Sequence, residues 1–314
     1  MTTLRRTTLN RRTRVTSILA CAAATLTALT VLSATSAGQT TATQSAQPDR
    51  SFETVDDLLI ALEDAGSDIR TLTANIRYTR VFALEGDEQV RDGTLWYLHW
   101  PEGPPNDDGV RKPAERGFSI EFTRARMGER IDDVSRRYAF DGEWLLETDG
   151  ETRVATRQQV VPPGQTFDPL RLGEGPFPVP IGQKREQIVE RFDAELVETT
   201  ENIWDETLEL IVTAKPTYQL KLTPKPKYAS DIELAEIRLW YPADTLLPRL
   251  AWTQSLDGNE SWILLTQVKV NDALPPDATS TVPPAGDWDV QIMPYRDTRR
   301  TSAQPDPMNT GAAP

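Results

Sequence analysis

One histidine and one cysteine limit the chemistry open to this chain of 314 residues. His99 has the type needed for the base of a Ser–His–Asp arrangement. It sits between Leu98 and Trp100, however, and no Gly-x-Ser-x-Gly nucleophile elbow occurs anywhere. A structural or solvent-facing His99 is the expectation. A single thiol and a single imidazole exclude a disulfide framework, Cys-rich zinc sites and multi-His metal sites. The carboxylate pairs Asp56-Asp57 and Asp132-Asp133 are sequence neighbours. Neighbours point to opposite faces of a strand and diverge on a helix, so neither pair makes an acid–base dyad. Asn106-Asp107-Asp108-Gly109 has the composition of a calcium loop but lacks its spaced ligands and terminal Glu. No glycine-rich phosphate loop is present, and Asn259-Glu260-Ser261 fits a glycosylation acceptor. The expectation is a non-enzyme without cofactor, metal or catalytic residue.

Two features remain that can bind rather than react. Arg124, Arg126, Arg130, Arg136 and Arg137 form a basic cluster in an acidic chain of net charge −13. Glu129, Asp132 and Asp133 are close enough to neutralise it as surface ion pairs. The sharper reading is a docking patch for an acidic partner or a lipid headgroup. The second feature is apolar side chains at period two: Ile76, Tyr78, Phe82, Trp96, Leu98, Phe118, Ile120, Phe122, Leu220, Leu239 and Trp252. These are the candidate lining of an apolar cavity for lipid. Alternation marks burial on one strand face and is equally compatible with a filled core.

The elements that position these residues follow from spacing. Phe52, Val55, Leu58, Leu59 and Leu62 recur at helical intervals and Gly66 stops the run. The period then becomes two, through Ala74 to Leu84, Trp96 to Trp100 and Phe118 to Phe122. Glu85-Gly86-Asp87, Arg91-Asp92-Gly93, Asp141-Gly142, Thr148-Asp149-Gly150 and Asp257-Gly258-Asn259 punctuate it as turns. Alternation resumes at Leu208-Leu210-Val212, Tyr218-Leu220-Leu222, Ile237-Leu239-Tyr241, Leu250-Trp252 and Trp262 to Val270. Ten or eleven short strands in a large antiparallel sheet or barrel are expected. The section 162–203 is rich in Pro and Gly and reads as an insertion over one sheet face, with a short helix from Lys184 to Arg191. The 24 Pro argue against a long-helix bundle, because an interior Pro costs a helix roughly 3 kcal/mol.

The first 37 residues read as a secretory signal rather than fold. Five Arg and no acid precede an apolar stretch from Val15 to Leu32, and Ala34-Thr35-Ser36-Ala37 supplies the small residues before a cut near Ala37. Arg11-Arg12 leaves twin-arginine export open. Ile18-Leu19-Ala20-Cys21 leaves lipidation of Cys21 open, although the apolar run continues past it. Loss of the leader removes the only thiol and five positive charges, so the net charge moves from −13 to −18. That acidity argues against nucleic acid and against an anionic lipid surface. Residues 38–50 read as a linker, 51–294 as one domain and 295–314 as a disordered tail.

The order of the elements resembles the LolA/LolB-like carriers of outer-membrane lipoproteins. The resemblance rests on the helix followed by Leu72-Thr73-Ala74-Asn75-Ile76-Arg77-Tyr78, on Asp92-Gly93-Thr94-Leu95-Trp96, and on Gly117 to Phe122. It continues through the hairpin Tyr138-Ala139-Phe140-Asp141-Gly142-Glu143-Trp144-Leu145 and Asp168-Pro169-Leu170. At the far end it rests on Ile237 to Tyr241, Leu247-Pro248-Arg249, Trp262 to Val270 and Val282 to Val290. No match to the family's lid-locking Arg is found, the section 100–116 is long and polar, and Pro224-Lys225-Pro226-Lys227 interrupts a strand region. The resemblance implies an unclosed half-barrel with a helical lid over an apolar cavity that holds acyl chains. The expected function is that of a periplasmic, monomeric carrier. It would bind an acylated lipoprotein or related lipid and pass it from an inner-membrane donor toward an outer-membrane acceptor. The alternative is a non-transporting binding or sensing module of the same fold. An anchored acceptor, which needs Cys21 lipidated, and a hydrolase follow.

Overall fold

The computed structural model describes residues 51–100, 115–162, 172, 181–229 and 231–295. The leader, the linker, Cys21, Asn106 to Gly109, Asp168 to Leu170 and nearly all of the tail lie outside them. So do most of 100–116 and part of the 162–203 insertion.

Helix α1 (Val55–Ser67) forms where the spacing requires it. Thr54 caps it by accepting from the Asp57 N–H at 3.2 Å, and Asp56 and Asp57 complement the positive helix start. Strands β1 (Thr71–Val81), β2 (Glu88–Trp100), β3 (Glu115–Met127), β4 (Arg130–Phe140), β5 (Trp144–Asp149) and β6 (Val154–Gln159) follow as an antiparallel meander. Within the section expected as an insertion come α2 (Arg185–Arg191) and β7 (Phe192–Val197), so its last part is an edge strand of the sheet and not a cover. Helix α3 (Glu206–Thr213), β8 (Thr217–Pro224) and β9 (Leu234–Pro242) follow. Then β10 (Leu250–Ser255), β11 (Glu260–Val270) and β12 (Asp289–Met293) complete the chain.

All strands lie in one sheet, in the order β12-β6-β5-β4-β3-β2-β1-β11-β10-β9-β8-β7. The ends β12 and β7 do not meet, so the mainly β sheet stays open. Leu72 pairs with Val270 across β1 and β11, so the two halves are joined through the first and one of the last strands.

Four further expectations need correction. The sheet has twelve strands, and β12 runs parallel to β6 although all other pairs are antiparallel. Leu208, Leu210 and Val212 lie on a helix, not a strand. Asp205 caps that helix by accepting from the Leu208 N–H at 2.9 Å, and Leu208, Ile211 and Val212 share its covered face. A run of eight residues satisfies both periods, and the cap decides. Arg91-Asp92-Gly93 is no turn but the middle of β2. There a Cβ on residue 93 would stand 2.1 Å from the Glu121 carbonyl oxygen, so glycine is required by close strand approach. Leu84 lies beyond the end of β1 and is 93% exposed.

Register sorts the side chains onto two faces. Leu72, Ala74 and Ile76 of β1 stand opposite Tyr97, Leu95 and Gly93 of β2, and these in turn stand opposite Phe118, Ile120 and Phe122 of β3. This inner face continues through Ile263 and Leu265, Ala251, Leu239 and Leu220. It holds the main core. The outer face carries a smaller cluster of Trp240, Leu250, Trp252 and Trp262 with Val212 of α3. A third, formed by Ala139, Leu146 and Ala155, packs against Trp288.

Candidate functional site: an apolar face beneath a helical lid

Helix α1 places Leu58 and Leu59, at most 1% exposed, in the inner-face core. The same core takes Ile188 from α2 and Ile181 from the segment before it. Aromatic rings stud the sheet side: Tyr78 and Phe122 stand 6.3 Å apart, Phe118 and Phe140 6.2 Å, and Phe122 meets Tyr138 edge-on at 6.3 Å. Burial, with Glu147 alongside, pushes the Tyr138 phenol up, and burial alone does the same to Tyr241. Both phenols therefore stay neutral at physiological pH. The face has the character of a hydrocarbon surface with neutral hydroxyls at its edges.

The polar contacts that hold α1 lie at its rim. Asp56 pairs with Arg185 at 2.5 Å, and the Glu63 carboxylate accepts from the Arg185 backbone N–H at 3.0 Å. The Arg116 guanidinium donates to the Gly182 carbonyl at 2.5 Å. Gly66, near the end of α1, lies so close to Gly182 that an added Cβ would come within 2.5 Å of the Gly182 Cα. Phe52 precedes the helix, donates its N–H to the Tyr218 hydroxyl at 3.0 Å and stacks edge-on against that ring at 5.2 Å. The Arg185 and Asp56 side chains are 35% and 49% exposed, so their pair contributes at most about 1 kcal/mol. Apolar burial holds the helix more than its ion pair does.

The eleven candidate lining residues divide. Ile76, Phe118, Ile120, Phe122, Leu220 and Leu239 come together on the inner face at 0–2% exposure, and Tyr78 packs against them half-buried. Trp96 and Leu98 stand opposite Thr73 and Thr71, which puts them on the outer face. Trp252 also faces outward, in the tryptophan cluster. Phe82 lies past the end of β1, under the Arg80 guanidinium at 4.8 Å. Leu95 and Tyr97, neighbours of Trp96 and Leu98, are the inner-face residues of β2, and sequence reasoning misses them. The continuous apolar run Leu95-Trp96-Tyr97-Leu98 hides its own parity, and only the pairing partners reveal it. His99, at the end of β2, sits beside Arg70, whose carbonyl accepts its backbone N–H at 2.8 Å. Among the described residues no cluster of three or more His, Cys, Asp and Glu side chains is arranged to hold a metal ion. No described helix is long and apolar enough to cross a membrane.

The outer face is covered in two places. Residues 271–288 cross it near β3 and β4, where Ser119 donates to the Ala278 carbonyl at 2.5 Å and Arg137 to the same carbonyl at 3.0 Å. The segment from Thr199 to α3 covers the tryptophans: Trp240 donates to the Thr199 carbonyl at 2.8 Å. Beside α3 a cavity of about 390 Å³ remains, floored by Leu250, Trp262 and Leu264 and edged by Arg77, Arg124 and Arg126. The basic cluster is thus dispersed. Arg126 pairs with Glu88 at 2.6 Å, Arg130 with Asp132 at 2.7 Å and Arg136 with Asp149 at 2.8 Å. Asp132 is the one neutralising partner among these that sequence proximity suggests.

No protein-family model matches the chain, and no curated protein matches it. Solved structures similar to it include a LolA superfamily protein. That protein, from Nitrosomonas europaea, shares 13% identity over 72% of this chain and 97% of its own, with a TM-score of 0.29. LprF from Mycobacterium bovis shares 12% over 71% and 96%, with a TM-score of 0.34. An uncharacterized conserved protein from Thermus thermophilus shares 10% over 76% and 98%, with a TM-score of 0.39. All three scores are low, and the chain's own residues must carry the functional reading.

Proposed function

We propose that this is an exported lipid-binding protein whose inner sheet face takes up acyl chains when α1 lifts. The observation that carries the reading is an open sheet with a continuous apolar face, covered by a helix whose ion pair, between Asp56 and Arg185, is partly exposed to solvent. The energies permit the exchange. Leu58 and Leu59, with half-buried Val55 and Leu62, hold α1 down with about 6–10 kcal/mol of burial. A sixteen-carbon chain buried at about 0.8 kcal/mol per methylene offers about 12 kcal/mol. One chain can therefore replace the lid, and a lipoprotein bringing several replaces it with a surplus. Release needs only an acceptor with a comparable apolar surface. The basic leader and its apolar run support export, and the role that follows is periplasmic delivery of lipoprotein toward the outer membrane.

Native mass spectrometry of the purified protein tests this. Retained lipid, or uptake of a synthetic acylated peptide, is the expected result. A clean apo protein that refuses the peptide overturns the reading.

The near-zero exposure of Phe118, Ile120 and Phe122 favours a second reading, in which the inner face is a permanent core and the protein binds or senses a partner without transport. Deleting the gene separates the two. Lipoproteins are mislocalised if the chain carries them and correctly placed if it does not.

A further inference from the structure

The cavity on the outer face belongs to neither the inner core nor its lid. Its position follows from one irregularity in β3. Phe118, Ile120 and Phe122 face inward, and strict alternation would send Arg124 and Arg126 inward after them. Between Phe122 and Arg124 the register shifts: Phe122 stands opposite Gly93 and Arg124 opposite Asp92, leaving Thr123 as the extra residue of a β-bulge. The bulge turns Arg124 and Arg126 to the outer face, where they edge the same cavity as Trp204 and Trp262.

The two ends of this cavity differ in character. At one, Leu250 and Trp262 are at most 4% exposed, and half-buried Leu208 of α3 packs against them. Trp204 stands edge-on to Trp262 at 6.3 Å yet keeps 65% of its surface exposed. At the other end are three cations and their local acids. Arg77 is bound to Asp92 at 2.7 Å and Arg126 to Glu88 at 2.6 Å. Asp205, also in the lining, is engaged in capping α3. Asp133 lies across the strand pair from Arg124. Arg124 makes no ion pair or hydrogen bond among the described residues.

We propose that this cavity binds a single-chain amphiphile with an anionic head, such as a fatty acid, its carboxylate on Arg124 and its chain along Trp262 and Leu250 beneath Trp204. Asp92, Glu88 and Asp205 are each engaged elsewhere and Asp133 makes no ion pair with Arg124, so this guanidinium is complementary to one added carboxylate and not to a cation. A cavity of about 390 Å³ holds one medium-length chain and is too small for a lipid bearing several. The site stands apart from the inner face, and loading one does not require the other.

Isothermal titration of the purified protein with laurate, and with dodecanol as its uncharged counterpart, tests the assignment. Arg124→Gln should weaken laurate by about tenfold or more and leave dodecanol unchanged. Trp204→Ala should weaken both. Arg130→Gln, which removes a charge already paired with Asp132, should alter neither. Uptake of the acylated peptide should survive in all three variants, which separates failure of this site from failure of the inner face. Absence of laurate binding, equal affinity in Arg124→Gln, or equal weakening by Arg130→Gln overturns the proposal.

Discussion

Phe122 and Arg124 are two residues apart on β3, yet one is sealed in the inner core and the other edges an open cavity on the opposite face. The inner face is aliphatic and phenyl-rich, continuous across β4 to β8 through the joined halves of the sheet, and closed by α1. The outer face is indole-rich, broken by arginines and acids, and covered by two short segments that leave a gap. A single sheet can thus offer one large uniform surface and one small mixed one. The difference is set by where strands change register, as much as by what they contain.

The largest effect should come from collapsing that difference. Gly93→Ala places a Cβ against the Glu121 carbonyl opposite the bulge, and β2 and β3 must separate or slip to admit it. A loss of at least about 3 kcal/mol in urea unfolding is expected. A neutral substitution would show that the bulge is not held by close approach. Next, truncation should distinguish the faces. Phe122→Ala should cost about 3–5 kcal/mol by leaving a cavity in the inner core. Ile131→Ala, at a position 51% exposed on the outer rim, should change stability by less than about 0.5 kcal/mol. Comparable losses at both would mean that the outer face is as firmly built as the inner.

A smaller effect should appear in alkali. Burial raises the Tyr241 phenol above its unfolded value of about 10, so the neutral form is the one the fold favours. Its contribution is complete below about pH 10 and is lost as pH rises from there toward the folded value. Thermal midpoints measured from about pH 8 to 11 should fall above pH 10 in the parent chain and fall less in Tyr241→Phe. The same slope in both would place the alkaline loss elsewhere. A small effect on global stability should come from Arg185→Ala, which removes a partly exposed ion pair worth at most about 1 kcal/mol. Amide exchange in α1 should nevertheless quicken, and no change there would remove Arg185 from the fastening of the lid.

Much of this fold is legible in the sequence because period two and turn glycines are local signals. The helix 55–67, the hairpin around Asp141-Gly142 and the run Trp262 to Val270 stand where the residues put them. The misreadings fall where a long-range partner decides. Trp96, Leu98 and Trp252 are as apolar as Leu95, Tyr97 and Ala251, and only cross-strand register assigns them to opposite faces. The Arg124 cavity is equally hidden: the cluster is visible in the chain, but the bulge at Thr123 and the arrival of α3 over Trp262 are tertiary events. Strand β12, five residues with every side chain exposed, gives no burial pattern to read and is defined by its parallel pairing to β6.

On the proposed function, α1 is a lid that acyl chains displace. Hydrogen–deuterium exchange of the purified protein, with and without a bound acylated peptide, measures it directly. Loading should speed exchange across residues 55–67 and leave β3 and β9 protected. Peptide bound with α1 as protected as before, or with β3 exposed alongside it, would contradict it.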